Sequence, residues 1–507
     1  MHPLQTRILS WLLVAAGVAT AFAAVHYGFE LRKYLFEWSA PIHHDDYANG
    51  FRRGQIIHKA GIFDVYDKIE RGELDESRYG IDYAPLRLVA VAAWAEWFET
   101  THSADERWDG SYEHTRPMLT ANSLAELTSS VLVFLLVRLW WLRAHPGETQ
   151  TANWIGLAGA LLFWFNPAVL WDAHCWPQWD AWLIPAFLGA VLLACVEWWF
   201  LAGVCTICGA FFKGQILLVA PIFVLWPLFQ FRWKPPLRYA CGALTAVAVL
   251  ASPWMVHDWS AEPLNHWGGF AWMIVVIAGA SFAVYRFGRK TLPYAAAGLG
   301  GATLLLMPLF GASSAWYTVG FQYGTRKFPT LASAPGTYSI PTVLRDVFGW
   351  ANDMETPVPI PGVGLSTRAF MLCLYAVCLF LCAVGAAIHD RRRDARFLVA
   401  IFTPWICFFS LLTQMNNRYL VWAAGLSAIM VGVDLGLTLL GLLVSLICLA
   451  GMAQHMLPMD PGFAPQAMRW IIPMRTHLAW PVALAACVYL YCAVKPTNSA
   501  SPDQCLQ

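Results

Sequence analysis

Apolar runs, most of them near the roughly 20 residues of one helical crossing of a bilayer, recur along the whole chain and restrict its fold more than any other feature. They occupy approximately 8–25, 119–142, 152–171, 181–199, 200–212, 215–231, 237–257, 268–287, 291–311, 367–388, 397–413, 419–433, 435–453 and 478–494. Of the 507 residues 58% are hydrophobic and only 13% charged. A soluble chain of this length carries charge on about a quarter of its residues, so a soluble assembly is excluded. The expectation is an all-α, polytopic membrane protein with about fourteen transmembrane helices. A net charge of +1 leaves no basic excess to neutralise phosphates, which removes nucleic acid as a partner. The 13 cysteines are odd in number and sit almost wholly inside apolar runs. They read as small buried hydrophobes rather than a disulfide framework, and Cys205-x-x-Cys208 reads the same way.

Orientation follows from the basic residues. Arg7 precedes the first apolar run, which is expected to be an uncleaved signal anchor with its amino terminus in the cytoplasm. Alternating sides from there puts Arg143, Arg232/Lys234/Arg238, Arg286/Arg289/Lys290, Arg391–Arg393 and Lys495 inside, as the positive-inside rule asks. Two long loops, roughly 28–118 and 312–366, then face outward. The chain divides into a first span with its outer loop (1–118), a transmembrane core (119–311), a second outer loop (312–366) and a C-terminal bundle (367–507). The first loop holds 17 of the 32 acidic residues. Within it the segment 86–98 is too short to cross and carries Arg87, Glu96 and Glu99, so it is expected to lie at the membrane surface. Loops of this size are not needed merely to connect helices, which places chemistry on the outer side.

Polar groups meet the membrane at a few points. Pro41-Ile-His-His-Asp45-Asp46-Tyr47 opens the first loop. An aspartate there either caps the helix expected from Phe51 to Phe63 or, ionised beside the membrane, accepts a proton from a sugar hydroxyl. Tyr79-Gly-Ile-Asp82-Tyr83-Ala-Pro85 precedes the surface helix, with proline placed for its first turn. Arg116-Pro117 leads into the second span against the usual charge bias. Asn166-Pro167 through Asp180 puts Asp172, His174, Gln178 and Asp180 in one turn, costly at membrane depth without partners. A metal held by Asp172, His174 and Asp180 is conceivable, but the spacing matches no strong signature and no metal or cofactor is expected. Lys213-Gly214-Gln215 and Gln414-Met-Asn-Asn-Arg418-Tyr419 are two further polar turns. In this topology all of these groups emerge on one face, combining carboxylates that handle protons with cations that hold a phosphate.

The order and placement of these motifs resemble the GT-C superfamily of integral-membrane glycosyltransferases, above all the glucosyltransferases of asparagine-linked glycosylation and their bacterial relatives. His44-Asp45-Asp46-Tyr47 is similar to that family's loop-opening Asp-Tyr, and Ile81-Asp82-Tyr83-Ala84-Pro85-Leu86 to its Leu-Asp-Tyr-Pro-Pro-Leu. Asn166 through Asp180, Lys213-Gly214-Gln215 with Pro221, Arg326-Lys-Phe-Pro329 and Met415 through Leu420 look like four further family elements. Two positions depart from the pattern: Ala84 stands for a proline, and Asn416-Asn417 for His-Glu. The resemblance implies transfer of a hexose, such as glucose or mannose, from a polyprenyl-phosphate donor to an extracytoplasmic glycan or lipid-linked acceptor. It implies Asp46 as base with Asp45 in reserve. Lys213, Arg418, Arg326 and Arg116 would hold the donor phosphate, and Asp82, Tyr83, Asp172, Gln178, Asp180 and Gln215 would line the substrate site. The bacterial plasma membrane is the expected location, with the endoplasmic reticulum as the alternative. A transporter or flippase of lipid-linked sugars is the rival reading. Transporters commonly show internal repeats, and none is visible.

Overall fold

The computed structural model describes residues 3–495 apart from 44, 75–80, 82, 104, 257–273, 275–277, 280, 307–311, 323–329, 331–336, 350–351, 355–364 and 475. Every regular element among the described residues is a helix, and the chain is an all-α membrane protein. Five helices are long and apolar enough to cross a membrane: the stretch Trp11–Trp38, Tyr112–Ala144, Thr149–Cys175, Thr367–Arg392 and Leu435–Met459. A bent pair, Pro465–Met474 with Ala479–Val494, makes a sixth if the two halves form one span.

Several expected spans are shorter or broken. The runs at 181–199, 200–212, 215–231 and 397–413 become the helices Asp180–Cys195, Trp199–Phe212, Ile216–Phe229 and Phe397–Leu411. The run at 419–433 is not one helix. It is a 3-10 turn at Asn417–Leu420, a short α-helix at Val421–Leu426 and a second 3-10 stretch at Ser427–Gly432. Irregular backbone at membrane depth is tolerated only where protein covers it, and here Leu420 through Met430 are buried. Half of the run at 268–287 lies outside the described residues.

Seven helices position the site: α1 (Pro3–Trp38), α2 (Asp46–Ala60), α3 (Val65–Glu70), α4 (Pro85–Thr101), α5 (Tyr112–Ala144), α6 (Thr149–Trp164) and α7 (Leu183–Cys195). The helix expected from Phe51 starts earlier, at Asp46, and Asp45 makes no side-chain cap bond. Pro85 takes the first turn of α4, as its fixed φ favours. Helices α2, α3 and α4 share a core of Phe51, Ile57, Tyr66, Leu88, Val91 and Trp94, into which Trp179 and Trp254 also pack. That shared core fastens the first loop to the polar turn after α6. Gly50 and Gly54, one turn apart on α2, allow the approach. A methyl at Gly54 would overlap the Val91 carbonyl of α4, and one at Gly50 would overlap the Trp179 ring.

Past α6 the chain bends. The Asn166 side chain accepts from the Ala168 and Val169 amides at 3.1 and 3.2 Å, starting a short helix with Pro167 in its first turn. That helix widens into a π-turn at Trp171–Cys175, closed by the Trp176 amide donating to the Trp171 carbonyl at 2.7 Å. Such bulges re-aim side chains at functional sites, and this one turns Asp172 and His174 into the interior.

Candidate active site

Asp46 occupies the first turn of α2, at the edge of the polar turn. Arg418 Nη1 donates to its Oδ2 at 2.7 Å and Gln178 Nε2 donates to the same oxygen at 3.0 Å. The 3-10 turn that carries Arg418 is started by Asn416, whose side chain accepts from the Arg418 amide. Arg418 Nε lies 3.2 Å from Asp180 Oδ2, an ion pair by distance but without hydrogen-bond angles. Lys213, just past the Trp199–Phe212 helix, donates to the other Asp180 oxygen. Trp422 Nε1 donates to the Asp180 carbonyl at 2.9 Å. Asn122 of α5 braces the turn from below, its Nδ2 donating to the carbonyls of Ala173 and Gln178 at 2.8 and 2.9 Å.

Aromatic rings wall the cluster. Lys213 Nζ lies 4.4 Å from the Tyr419 ring centre and 5.0 Å from that of Trp422. The Arg418 guanidinium lies 5.5 Å from the Trp176 ring. Arg87 of α4 stacks on Tyr83 at 3.4 Å and approaches Trp179 at 5.0 Å. Arg53 donates to the Tyr83 hydroxyl at 2.8 Å, so two guanidinium groups grip that ring. Such contacts hold a cation in place without neutralising it. Asp172 is fully buried, and neither carboxylate oxygen is hydrogen-bonded. Its charge interacts with Arg418 and Lys213. Around Asp46, the carboxyl groups of Asp46, Asp172 and Asp180 therefore lie among four basic side chains, Arg53, Arg87, Lys213 and Arg418.

Asp46, Asp172, Gln178, Asp180, Lys213, Arg418 and Tyr83 converge here. Gln215 starts the short helix beside Lys213, its carbonyl accepting from the Leu218 amide at 3.1 Å while its side chain makes no cap hydrogen bond. Asp45 is exposed, its carbonyl accepting from the Asn49 amide at 2.8 Å and its side chain making no cap hydrogen bond. Arg116 is a correction: its side chain is 63% exposed and its ionic partner is Glu113 at 3.8 Å. Placed on α5 one turn from that exposed acid, it makes no contact with the cluster. Asp82 and Arg326 lie outside the described residues. Asp172, His174 and Asp180 do not come together as a possible metal-ligand group among the described residues; His174 Nε2 instead bonds Glu126 Oε1 at 3.0 Å.

That bond exposes a group the motif reading overlooked. Arg32 of α1, Glu126 of α5 and His174 form a network with exposures of 2%, 0% and 1%. Arg32 Nε donates to Glu126 Oε2 at 2.7 Å, and Arg32 Nη2 donates to the Trp164 carbonyl at 2.8 Å. The guanidinium also stacks on the Trp164 ring at 3.4 Å. A lone acid in the middle of an apolar run is itself a pointer to function, and Glu126 carried that signal. Arg87 carried a weaker one, since a single cation on a surface helix is ordinary.

Outside the spans, His43 is half-buried, its ring 4.5 Å from that of Phe36 and 5.3 Å from that of Tyr47. Burial pushes its imidazole down to about 4, although a bond to the Phe36 backbone opposes the shift. Burial likewise raises the Tyr47 hydroxyl, with Asp45 and Asp109 adding to the effect. Comparison of the sequence with protein-family models and with curated proteins returns no match.

Proposed function

We propose that this chain is a membrane glycosyltransferase that moves a hexose from a polyprenyl-phosphate donor to a glycan or lipid-linked acceptor. The observation that carries the reading is the Asp46 carboxylate, bonded by Arg418 and Gln178 and walled by Lys213, Arg87 and aromatic rings. The acceptor hydroxyl attacks the anomeric carbon while the bond from that carbon to the phosphate oxygen breaks, inverting the centre. The hydroxyl proton passes to Asp46, and the bonding pair leaves on the polyprenyl phosphate. A phosphate leaving group needs positive charge more than a proton, which Lys213 and Arg418 provide.

The ion pair of Asp46 with Arg418 orders these events. A carboxylate tied to a guanidinium is a poor base. An arriving donor phosphate competes for Arg418 and releases Asp46 to accept the proton. The base is thus armed only when donor is bound, which guards the sugar from water. The polyprenyl tail lies among the apolar helices, and the lipid bilayer is the enzyme's other partner.

In this reading about fourteen spans, from the length of a bilayer crossing, place both termini in the cytoplasm and the site on the extracytoplasmic face of a bacterial plasma membrane. Transfer from a synthetic polyprenyl-phosphate hexose by the purified protein tests it. Asp46→Ala is expected to remove transfer with protein yield unchanged. Transfer that survives this change but is lost in Asp45→Ala moves the base to Asp45. The buried Arg32–Glu126–His174 set favours the rival, since charges inside spans also mark transport paths. Movement of lipid-linked sugar across vesicles without any new glycosidic bond supports that rival and overturns the transferase.

A further inference from the structure

We propose that His102, Glu106 and His114 form a binding site for a first-row divalent cation, Zn2+ by its ligand set, that ties the end of α4 to the start of α5. His102 follows the last residue of α4, Glu106 lies in the connection, and His114 is in the first turn of α5. One ligand atom from each comes within 4.8 Å of the other two. Two imidazoles with one carboxylate suit zinc, which accepts nitrogen and oxygen donors with a fourth position open to water.

The surroundings decide which nitrogens are available. His102 Nδ1 lies 3.1 Å from the Phe98 carbonyl. Thr101 Oγ1 lies 2.9 Å from the same nitrogen and gives its own hydrogen to the Trp97 carbonyl at 2.7 Å, so both oxygens accept, Nδ1 carries the hydrogen and Nε2 presents a lone pair. His114 Nδ1 lies 2.7 Å from Asp109 Oδ1, closer than the Asp109 amide at 3.3 Å. An ionised Asp109 therefore takes the Nδ1 hydrogen, and Nε2 faces Glu106 Oε1 at 2.9 Å. Metal-bound histidines almost always donate their other N–H in this manner, to a carboxylate or a backbone carbonyl. The Phe98 carbonyl stands in that position for His102 and the Asp109 carboxylate for His114.

Packing holds the geometry. His102 stacks on Phe98 at 4.4 Å, and His114 meets both rings edge-on at 4.9 Å. Trp94 Nε1 donates to the His114 carbonyl at 2.9 Å. Trp108, adjacent to Asp109, stacks on Phe51 at 4.9 Å and meets Tyr47 at 5.5 Å. An ion here stiffens the wall against which the first turn of α2 packs. The inference does not depend on glycosyl transfer.

The test uses the full chain, purified in detergent with a tag free of histidine, stripped with chelator and dialysed against buffered Zn2+. Elemental analysis is expected to find about one zinc per chain. Glu106→Gln and His102→Gln, on the exposed and half-exposed ligands, should each weaken retention by more than the about 10–100-fold typical of losing an outer-shell partner of a metal ligand. Amide exchange across 99–114 should slow with zinc in the parent and not in these variants. No bound zinc, or equal zinc in parent and both variants, overturns the site. Because neither readout involves sugar transfer, failure here leaves the transferase reading untouched, and the reverse also holds.

Discussion

At the scale of single residues, charge burial governs this molecule. Glu126 sits where water is absent, and two partners satisfy it. Removing one partner of a buried pair typically costs about 3–5 kcal/mol, because the other charge is stranded. Glu126→Gln is therefore expected to lower the melting temperature in detergent sharply. The joint change Arg32→Leu with Glu126→Leu should cost less than either alone, and a larger loss in the double variant would show that the pair is not a unit. His43 gives a pH prediction. The unfolded imidazole takes a proton near 6.5, whereas the folded one resists until about 4. Stability is then full above about 6.5 and declines as pH falls toward 4, since only the unfolded chain gains the proton in that window. Melting followed across pH 7 to 4 should show this decline shrink in His43→Gln, and an unchanged slope would refute the assignment. Arg418 matters for a different reason. Arg418→Lys keeps a charge but loses the fork that reaches Asp46 and Asp180 together, so the donor KM should rise more than tenfold.

At the scale of elements, the site depends on how closely α2 can lie on α4. Gly54 has no room for a methyl group, because backbone rather than a movable side chain opposes it. Gly54→Ala is expected to cost about 1–3 kcal/mol, as overpacking does, and to shift Asp46 from Arg418 so that transfer falls more than stability. Gly298→Ala, where a methyl would meet nothing within 4 Å, is the control. Equal activity in the two variants would show that α2 docking does not set the site. The π-turn at Trp171–Cys175 plays a similar part. The run at 152–171 announced a span, but nothing in its hydropathy showed that Asn166-Pro167 would bend it. Nor did hydropathy show that a wider turn would aim Asp172 inward, since that geometry follows from hydrogen bonds made after the helices pack.

At the scale of the whole molecule, the loops and the bundle interlock. Trp179 from the polar turn belongs to the core of the first loop, so the loop is built onto the membrane helices. Sidedness is open to direct measurement. With a membrane-impermeant maleimide and modified sites located by mass spectrometry, Asp45→Cys should be labelled in intact cells. Arg392→Cys should react only after the membrane is opened. Labelling of both from the same side would overturn the topology.

What the amino-acid order determined alone was the class of fold and which residues could meet. Apolar runs of bilayer length dictate helices, and Asp46, Lys213 and Arg418 stand out because charge is costly beside lipid. The meeting itself was decided by tertiary structure. Asp46 and Arg418 are 372 positions apart yet share a hydrogen bond. Arg32, Glu126 and His174 come together from three elements with no common spacing, and Arg116, expected beside Lys213 and Arg418, is exposed and pairs with Glu113. Periodicity and composition are local properties of a chain. Pairing of charges is set by which helices touch and at what angle, and that depends on packing of the entire bundle at once.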